Sequence, residues 1–567
     1  MKRILFYRLS LTIVLGIIGI SSSAQTPMVR NAAKSVFTLT TYDADGAILA
    51  TSKGVFIGNG GEGISNLSPF LGAARATVTD VKGTEMNVRR MIGINELYDV
   101  ARFRVEGKTS GLSLPVSSAS SGSQLWLVPY STDAKTQPVS ATVASVETFM
   151  DKYSYYILSV SSDDMPVRTK KEMAFCPFVN DAGEVVGLMQ LSSTSDKIYA
   201  ADARFTGSLV FDGLTFNNVN MQKTSIPSAL PDNVEQAQIM LVMLGHSGDS
   251  AKYDAAVSDF IEQYPTLSDG YVARAQQYTA AGRFKDADDV FSTAMKKVAD
   301  KADAHFSYAG HIYNKMTSDA RPYAPWTLAK ALDEAEQAYA ISPLSMYKHL
   351  EAQIYYSMTE YQAAYDIFTA LANDNDFNKS ELIFEAAQCK QMLGAPDEEI
   401  LAMLDSAINM TDSMRIAEAS PYFLMRAEVN NALGRYREAV FDYTRYAIMT
   451  QQVLTSDFYY VKAQTEIKGK LYQQALADLA RAVILSPDEP LYIAELTSLY
   501  LRVNQVENAL KTAEHCIEKA PEYSTGYVLY GLALIRSDRK AEGIAALEKA
   551  EAMGDEQARA LIDKYSD

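Results

Sequence analysis

What this 567-residue chain lacks is the first guide to it. It has only three cysteines, Cys176, Cys389 and Cys516, spaced too widely for a disulfide framework or a cysteine-based metal cluster. Its five histidines, His246, His305, His311, His349 and His515, all lie in the C-terminal part. Nothing before His246 therefore supplies an imidazole, which excludes a Ser-His or Cys-His pair built within that stretch. Beyond residue 20 no apolar run is long enough to span a bilayer as a helix. Phosphate-binding loops are missing too: Gly58-Asn59-Gly60-Gly61-Glu62-Gly63 is followed by no helical pattern and reads as a hairpin turn. Asp151, Asp163, Asp164 and Asp181 lack metal-ligand spacing and read as solvated turns. No cofactor and no metal is expected. Positive charge is in deficit, with 52 basic against 69 acidic side chains and a net charge of -17. The deficit is local: residues 25–230 hold 18 basic and 19 acidic residues, whereas 231–567 hold 31 and 50. An acidic surface repels phosphate backbones, so nucleic acid is not an expected partner.

What is present begins with a leader. Lys2, Arg3 and Arg8 precede an apolar run from Leu9 to Ile20, and Ser22-Ser23-Ala24 offers small residues before Gln25. This pattern predicts a cleavable signal peptide over 1–24, without a nearby cysteine for a lipoprotein anchor. The mature chain is expected to be exported, in the periplasm, at the cell envelope or secreted, with no integral membrane segment.

Two periodicities then divide the chain. Segments such as "SVFTLTTYD", "AILATSKGVFIG", "QLWLVPYS" and "GEVVGLMQLSS" are short, rich in β-branched and aromatic residues, and separated by turn residues. They predict an all-β domain over 25–217, a barrel or sandwich. A Pro-containing stretch, 218–230, reads as a linker. From 231 to 567 the pattern is helical and recurs: an alanine on one helix of each unit falls at Ala287, Ala331, Ala364, Ala439, Ala475 and Ala509, with Ile400 and Gly543 in the same slot. Small residues at Ala275, Ala352, Ala427, Ala463 and Gly531 mark the partner helix of five units, where backbones come close. The spacing of 33–44 residues resembles the 34-residue tetratricopeptide repeat, a helix-turn-helix unit. Eight units are counted, a degenerate ninth precedes them near Tyr253–Pro265, and "DEQARALIDKYSD" reads as a capping helix. The resemblance implies an α-solenoid that binds protein or peptide partners, with contacts from Gln276, Gln353, Glu428, Asn431 and Gln464.

The β domain resembles trypsin-like serine proteases, a double β-barrel fold, at three points in the right order: Gly54–Ala73, Leu97–Glu106 and Cys176–Leu188. The expected architecture is therefore multidomain, a trypsin-like double barrel followed by an all-α solenoid. The resemblance places the histidine slot at Ser68, the aspartate slot at Asp99 and the serine slot at Ala174. Two of three triad members are replaced. The glycines that shape the oxyanion loop fall on Glu172, Phe175 and Cys176, which implies a remodelled loop. These substitutions predict a pseudoprotease: a non-catalytic interaction scaffold. The alternative is a divergent serine/cysteine hydrolase using Cys176 with Lys170 or Lys171 in a remodelled site.

Overall fold

A computed structural model describes residues 26–132, 137–149, 153–160, 171–191, 197–211, 218–373 and 377–566. The leader, Lys170, Asp151, Asp163 and Asp164 lie outside the described residues. Compact units divide between Asp300 and Lys301, so the β domain shares its unit with the first four long helices.

Two closed antiparallel barrels are built from twelve strands among the described residues. Barrel 1 comprises β1 (Val36–Tyr42), β2 (Ile48–Ile57), β3 (Glu62–Asn66), β4 (Arg75–Thr79), β5 (Glu85–Asn95) and β6 (Val100–Val105). Barrel 2 comprises β7 (Gln124–Leu127), β8 (Val139–Phe149), β9 (Tyr153–Val160), β10 (Pro177–Val179), β11 (Val185–Gln190) and β12 (Ile198–Asp202). The strand orders are β1-β2-β3-β6-β5-β4 and β7-β8-β9-β12-β11-β10, so each barrel repeats the connectivity of the other. This is the double barrel of the trypsin-like kind followed by helices that the three-point resemblance implied. Closure leaves no sheet edge to pair elsewhere.

Alternation along the strands sends one face inward. Barrel 1 packs Phe37 against Phe56 and Phe103, with ring centroids 4.6 and 5.8 Å apart. Barrel 2 closes around Leu125, Tyr156, Phe178 and Met189. A third cluster lies in the seam between them, where Val55, Ile64, Tyr98 and Val100 of barrel 1 meet Val185, Leu188 and Phe205 of barrel 2.

Residues 218–230, expected as a linker, lie along barrel 1. Met221 and Ile226 join its core. The Gly72 and Met91 amides donate to the carbonyls of Lys223 and Pro227, at 2.8 and 2.9 Å. Backbone satisfaction and apolar burial, neither visible in a proline count, hold this stretch down. The second helix after it, Ser250–Gln263, is tied back to β5 by a bidentate Arg90–Asp259 pair, with Nη2 to Oδ1 at 2.8 Å.

The remainder is helical pairs. Two pairs precede Asp300 (Val234–Gly245 with Ser250–Gln263, then Asp269–Ala280 with Phe284–Lys297). Seven follow, from Lys301–Ser318 with Leu328–Ile341 to Ser524–Arg536 with Lys540–Ala552, and Glu556–Ser566 closes the series. Among the described residues these make nine pairs. Ala287, Ala331, Ala364, Ala439, Ala475 and Ala509 are fully buried at the crossings. Gly531 and Gly543 cross more closely still, since a Cβ on Gly531 would sit 2.8 Å from the Gly543 carbonyl oxygen. The turn between paired helices uses a left-handed residue: Gly282, Gly394 and Gly434 where glycine is present, but Thr359, Lys470, Asn504 and Asp538 in other units.

Candidate functional site

The three triad slots sit on turns at strand ends. Ser68 opens a 3-10 turn, Ser68–Phe70, just after β3. Asp99 occupies the tight turn between β5 and β6 with φ of 51°. Ala174 lies in the turn leading into β10. Ser68 and Asp99 are joined: the Ser68 hydroxyl and amide both donate to Asp99 Oδ1, at 2.6 and 2.7 Å, and the Leu67 amide donates to the Asp99 carbonyl at 3.0 Å. Barrel 2 reaches the same place. Gln190 at the end of β11 donates from Nε2 to the Tyr98 carbonyl at 2.7 Å and accepts from the Tyr155 hydroxyl at 3.0 Å. Its neighbour Met189 accepts the Phe175 amide at 2.9 Å, beside Ala174. Hydrogen bonds to their sequence neighbours therefore bring the three positions together across the seam.

At the three expected positions the Ser68 hydroxyl donates to Asp99, and Ala174 presents a methyl group. The loop before β10 is a short helical turn, with the Cys176 amide donating to the Met173 carbonyl at 3.0 Å. Phe175 holds φ of 62°, a left-handed conformation that glycine adopts without cost. Glu172 is exposed in that same turn.

Cys176 is sealed, with 1% of its surface exposed. Burial pushes its thiol up to about 11, partly offset by a backbone hydrogen bond from Tyr130 and the charge of Lys53. Lys53 is half-buried, donates to Thr38 Oγ1 at 2.8 Å and lies 4.5 Å over the Tyr130 ring; burial lowers its pKa. The cation nearest this thiol in effect is Lys53 on β2, which sequence reasoning missed because it is 123 residues away; Lys171 is exposed. A thiol held protonated and out of solvent is a poor nucleophile.

The five helical candidates divide. Gln276 and Glu428 are exposed. Gln353 donates to Glu385 at 3.0 Å and Gln464 to Glu495 at 3.1 Å, each a bond to the first helix of the next pair. Gln238 makes the same bond to Asp269. These glutamines form a ladder between pairs, and the signal was present: an acid 31 or 32 residues later, close to one repeat. Asn431 Oδ1 is sheltered and has no hydrogen-bond partner among the described residues. Also among the described residues, no group of three His, Cys, Asp or Glu side chains is placed to hold a metal ion, and no helix is long and apolar enough to cross a membrane.

No family model matches the chain, and no curated protein matches it. Among solved structures it is similar to the Rv3671c protease in its inactive form, at 14% identity, covering 32% of this chain and 91% of that one, with a TM-score of 0.26. A likeness of that size carries no argument, and the double-barrel assignment rests on the strand order.

Proposed function

We propose that the chain is an exported, non-catalytic interaction scaffold: a pseudoprotease double barrel joined to tetratricopeptide-type repeats that hold protein or peptide partners. One observation carries the reading. Ser68 stands in the histidine slot and donates its hydroxyl to Asp99 at 2.6 Å. Substitution has kept the framework contact of the site and removed its base. A serine hydroxyl cannot relay a proton to a carboxylate and back at neutral pH as an imidazole does, because its pKa lies far from the working range. Ala174 at the nucleophile slot and Phe175 in a glycine conformation point the same way.

The repeats supply the binding function in this reading. Gln276, Glu428 and Asn431 are the polar candidates with no hydrogen bond to a neighbouring pair among the described residues, and they are the ones offered to a partner. Crosslinking of the native envelope with and without Glu428→Arg tests this: partner crosslinks to the 420–449 pair should be lost in the variant, and an unchanged crosslink pattern would refute it.

The hydrolase reading has one supporting observation, the proximity of the Lys53 charge to Cys176. It requires that thiol to ionise while fully buried and raised to about 11, which burial opposes.

A further inference from the structure

The second helices of two successive pairs break the acidic character of the repeats. The outward face of Tyr436–Met449 carries Arg437, Phe441, Arg445 and Ile448, and that of Tyr472–Leu485 carries Arg481, Ile484 and Leu485. Arg445 and Ile448 recur as Arg481 and Ile484, 36 residues on, at the same positions of the next pair. The apolar members are open to solvent: Phe441 56%, Ile448 75%, Ile484 76% and Leu485 50% exposed. Glu438 is the only acidic residue exposed on either helix. The helices to each side revert to acid, with Glu398, Glu399 and Asp405 before and Glu507, Glu514 and Glu518 after.

A groove of about 780 Å³ adjoins this face, walled by Leu401 and Ala402 on one side and Arg437 and Phe441 on the other. Three of its four carboxylates are engaged, and Glu438 is the fourth. Glu398 pairs with Arg435 at 2.6 Å, and Asp405 and Asp442 both pair with Arg426, at 2.6 and 2.7 Å. Arg437 has no ion pair among the described residues, and Arg445 lies 5.3 Å over the Phe441 ring. The cations on the rim thus retain unused donors beside uncovered apolar side chains.

We infer that this face is a docking surface for an acidic amphipathic helix of a partner protein, whose apolar stripe covers Phe441, Ile448 and Ile484 and whose flanking carboxylates meet Arg437, Arg445 and Arg481. Charge complementarity selects the occupant. An anionic bilayer is broader than two helices and meets the acidic helices on both sides, which it repels. A narrow acidic helix avoids them. The surface uses the second helix of each pair, so it is separate from the first-helix positions discussed above.

The test uses the full mature chain and a labelled 20-residue helical peptide carrying a Leu/Phe stripe flanked by Asp and Glu. Anisotropy should report binding that weakens at least about tenfold in Ile448→Ser/Ile484→Ser and in Arg445→Glu/Arg481→Glu, and that weakens with added salt. Arg481 also pairs with the buried Asp478 at 3.0 Å, so Arg445→Glu alone serves as a second charge variant, and circular dichroism of every variant should match wild type. The peptide with Lys for Asp and Glu should not bind. Failure of the acidic peptide to bind wild type, or equal binding to wild type and every variant, would overturn the inference. So would co-sedimentation with phosphatidylglycerol vesicles, or a concentration-dependent dimer, that these substitutions abolish.

Discussion

Among the described residues, the barrels bury hydroxyls where the helical pairs bury charges. Ser35, Thr41, Ser65, Thr77 and Thr206 are the interior polar residues of the β domain, and its one buried carboxylate, Asp202, is held by Arg204 at 2.5 Å. Beyond Asp300 the interior holds Lys315, Glu334, Glu351, Asp442, Lys462, Glu466 and Asp478. The difference follows from architecture. A closed barrel fixes its register through the backbone ladder, and its core needs only apolar filling. A helical pair has no such ladder to its neighbour, and alanine crossings can slide. Buried ion clusters supply what is missing. Lys462 donates to Glu466 at 2.7 Å within its helix and to Asp478 on the paired helix. Arg426 joins Asp405 of the preceding pair to Asp442 of its own. A slipped register strands these charges without partners, so they specify alignment more than they add stability.

The sharpest way to break this contrast is Lys462→Met, which leaves Glu466 buried without its cation and Asp478 with only Arg481, at 3.0 Å. It should cost about 3–5 kcal/mol. Hydrogen exchange should accelerate in 456–485 and stay unchanged in the barrels. Uniform acceleration across the chain would contradict a local register role.

Titration gives the next largest effect. Burial raises the Glu466 carboxyl to about 7, opposed by Lys462 and reinforced by Asp478. The folded state therefore binds this proton more tightly than the unfolded state, and the contribution is lost as pH rises from about 4.5 through 7. Glu466→Gln should remove about 1–2 kcal/mol of that slope, read from denaturant midpoints at pH 5 and pH 8. His311 works in the opposite sense. Burial holds it down to about 4, so the unfolded state takes the proton first and stability is lost as pH falls from 6.5 toward 4. Glu466→Gln should leave this acid limb intact.

Two smaller changes probe the turns. Asp99→Ala removes both bonds from Ser68 and should cost the barrels about 1–3 kcal/mol, without altering exchange beyond Asp300. Lys470→Gly should stabilise its pair by about 1 kcal/mol, because φ of 61° is strained for lysine and free for glycine. A destabilised K470G would mean that the lysine side chain, not the turn, matters there.

How much of this was legible in the sequence depended on range. The alanines that define the repeats were legible because one buried crossing recurs at a fixed interval, and all six are fully buried. Ser68, Asp99 and Ala174 were named from the protease resemblance, and the structure puts each on a turn beside a strand end. The packing of 218–230 onto barrel 1 was not, since its partners, Gly72, Ala73 and Met91, are well over a hundred residues away. The same holds for Lys53 and Cys176, and for the grouping of the first helices with the barrels through Arg90 and Asp259. Phe175 shows a further limit. Sequence implied a remodelled loop but not that Phe175 takes a left-handed backbone there. Side-chain identity alone does not reveal which strained conformations a fold will still impose.

The central claim, that the double barrel has kept its frame and lost its chemistry, is tested most directly by turnover. Purified mature protein should be assayed against labelled casein and p-nitrophenyl esters beside Cys176→Ala and Asp99→Ala variants. All three should give the same background rate. Turnover by the wild-type chain that either substitution abolishes would contradict the account and establish the hydrolase in its place.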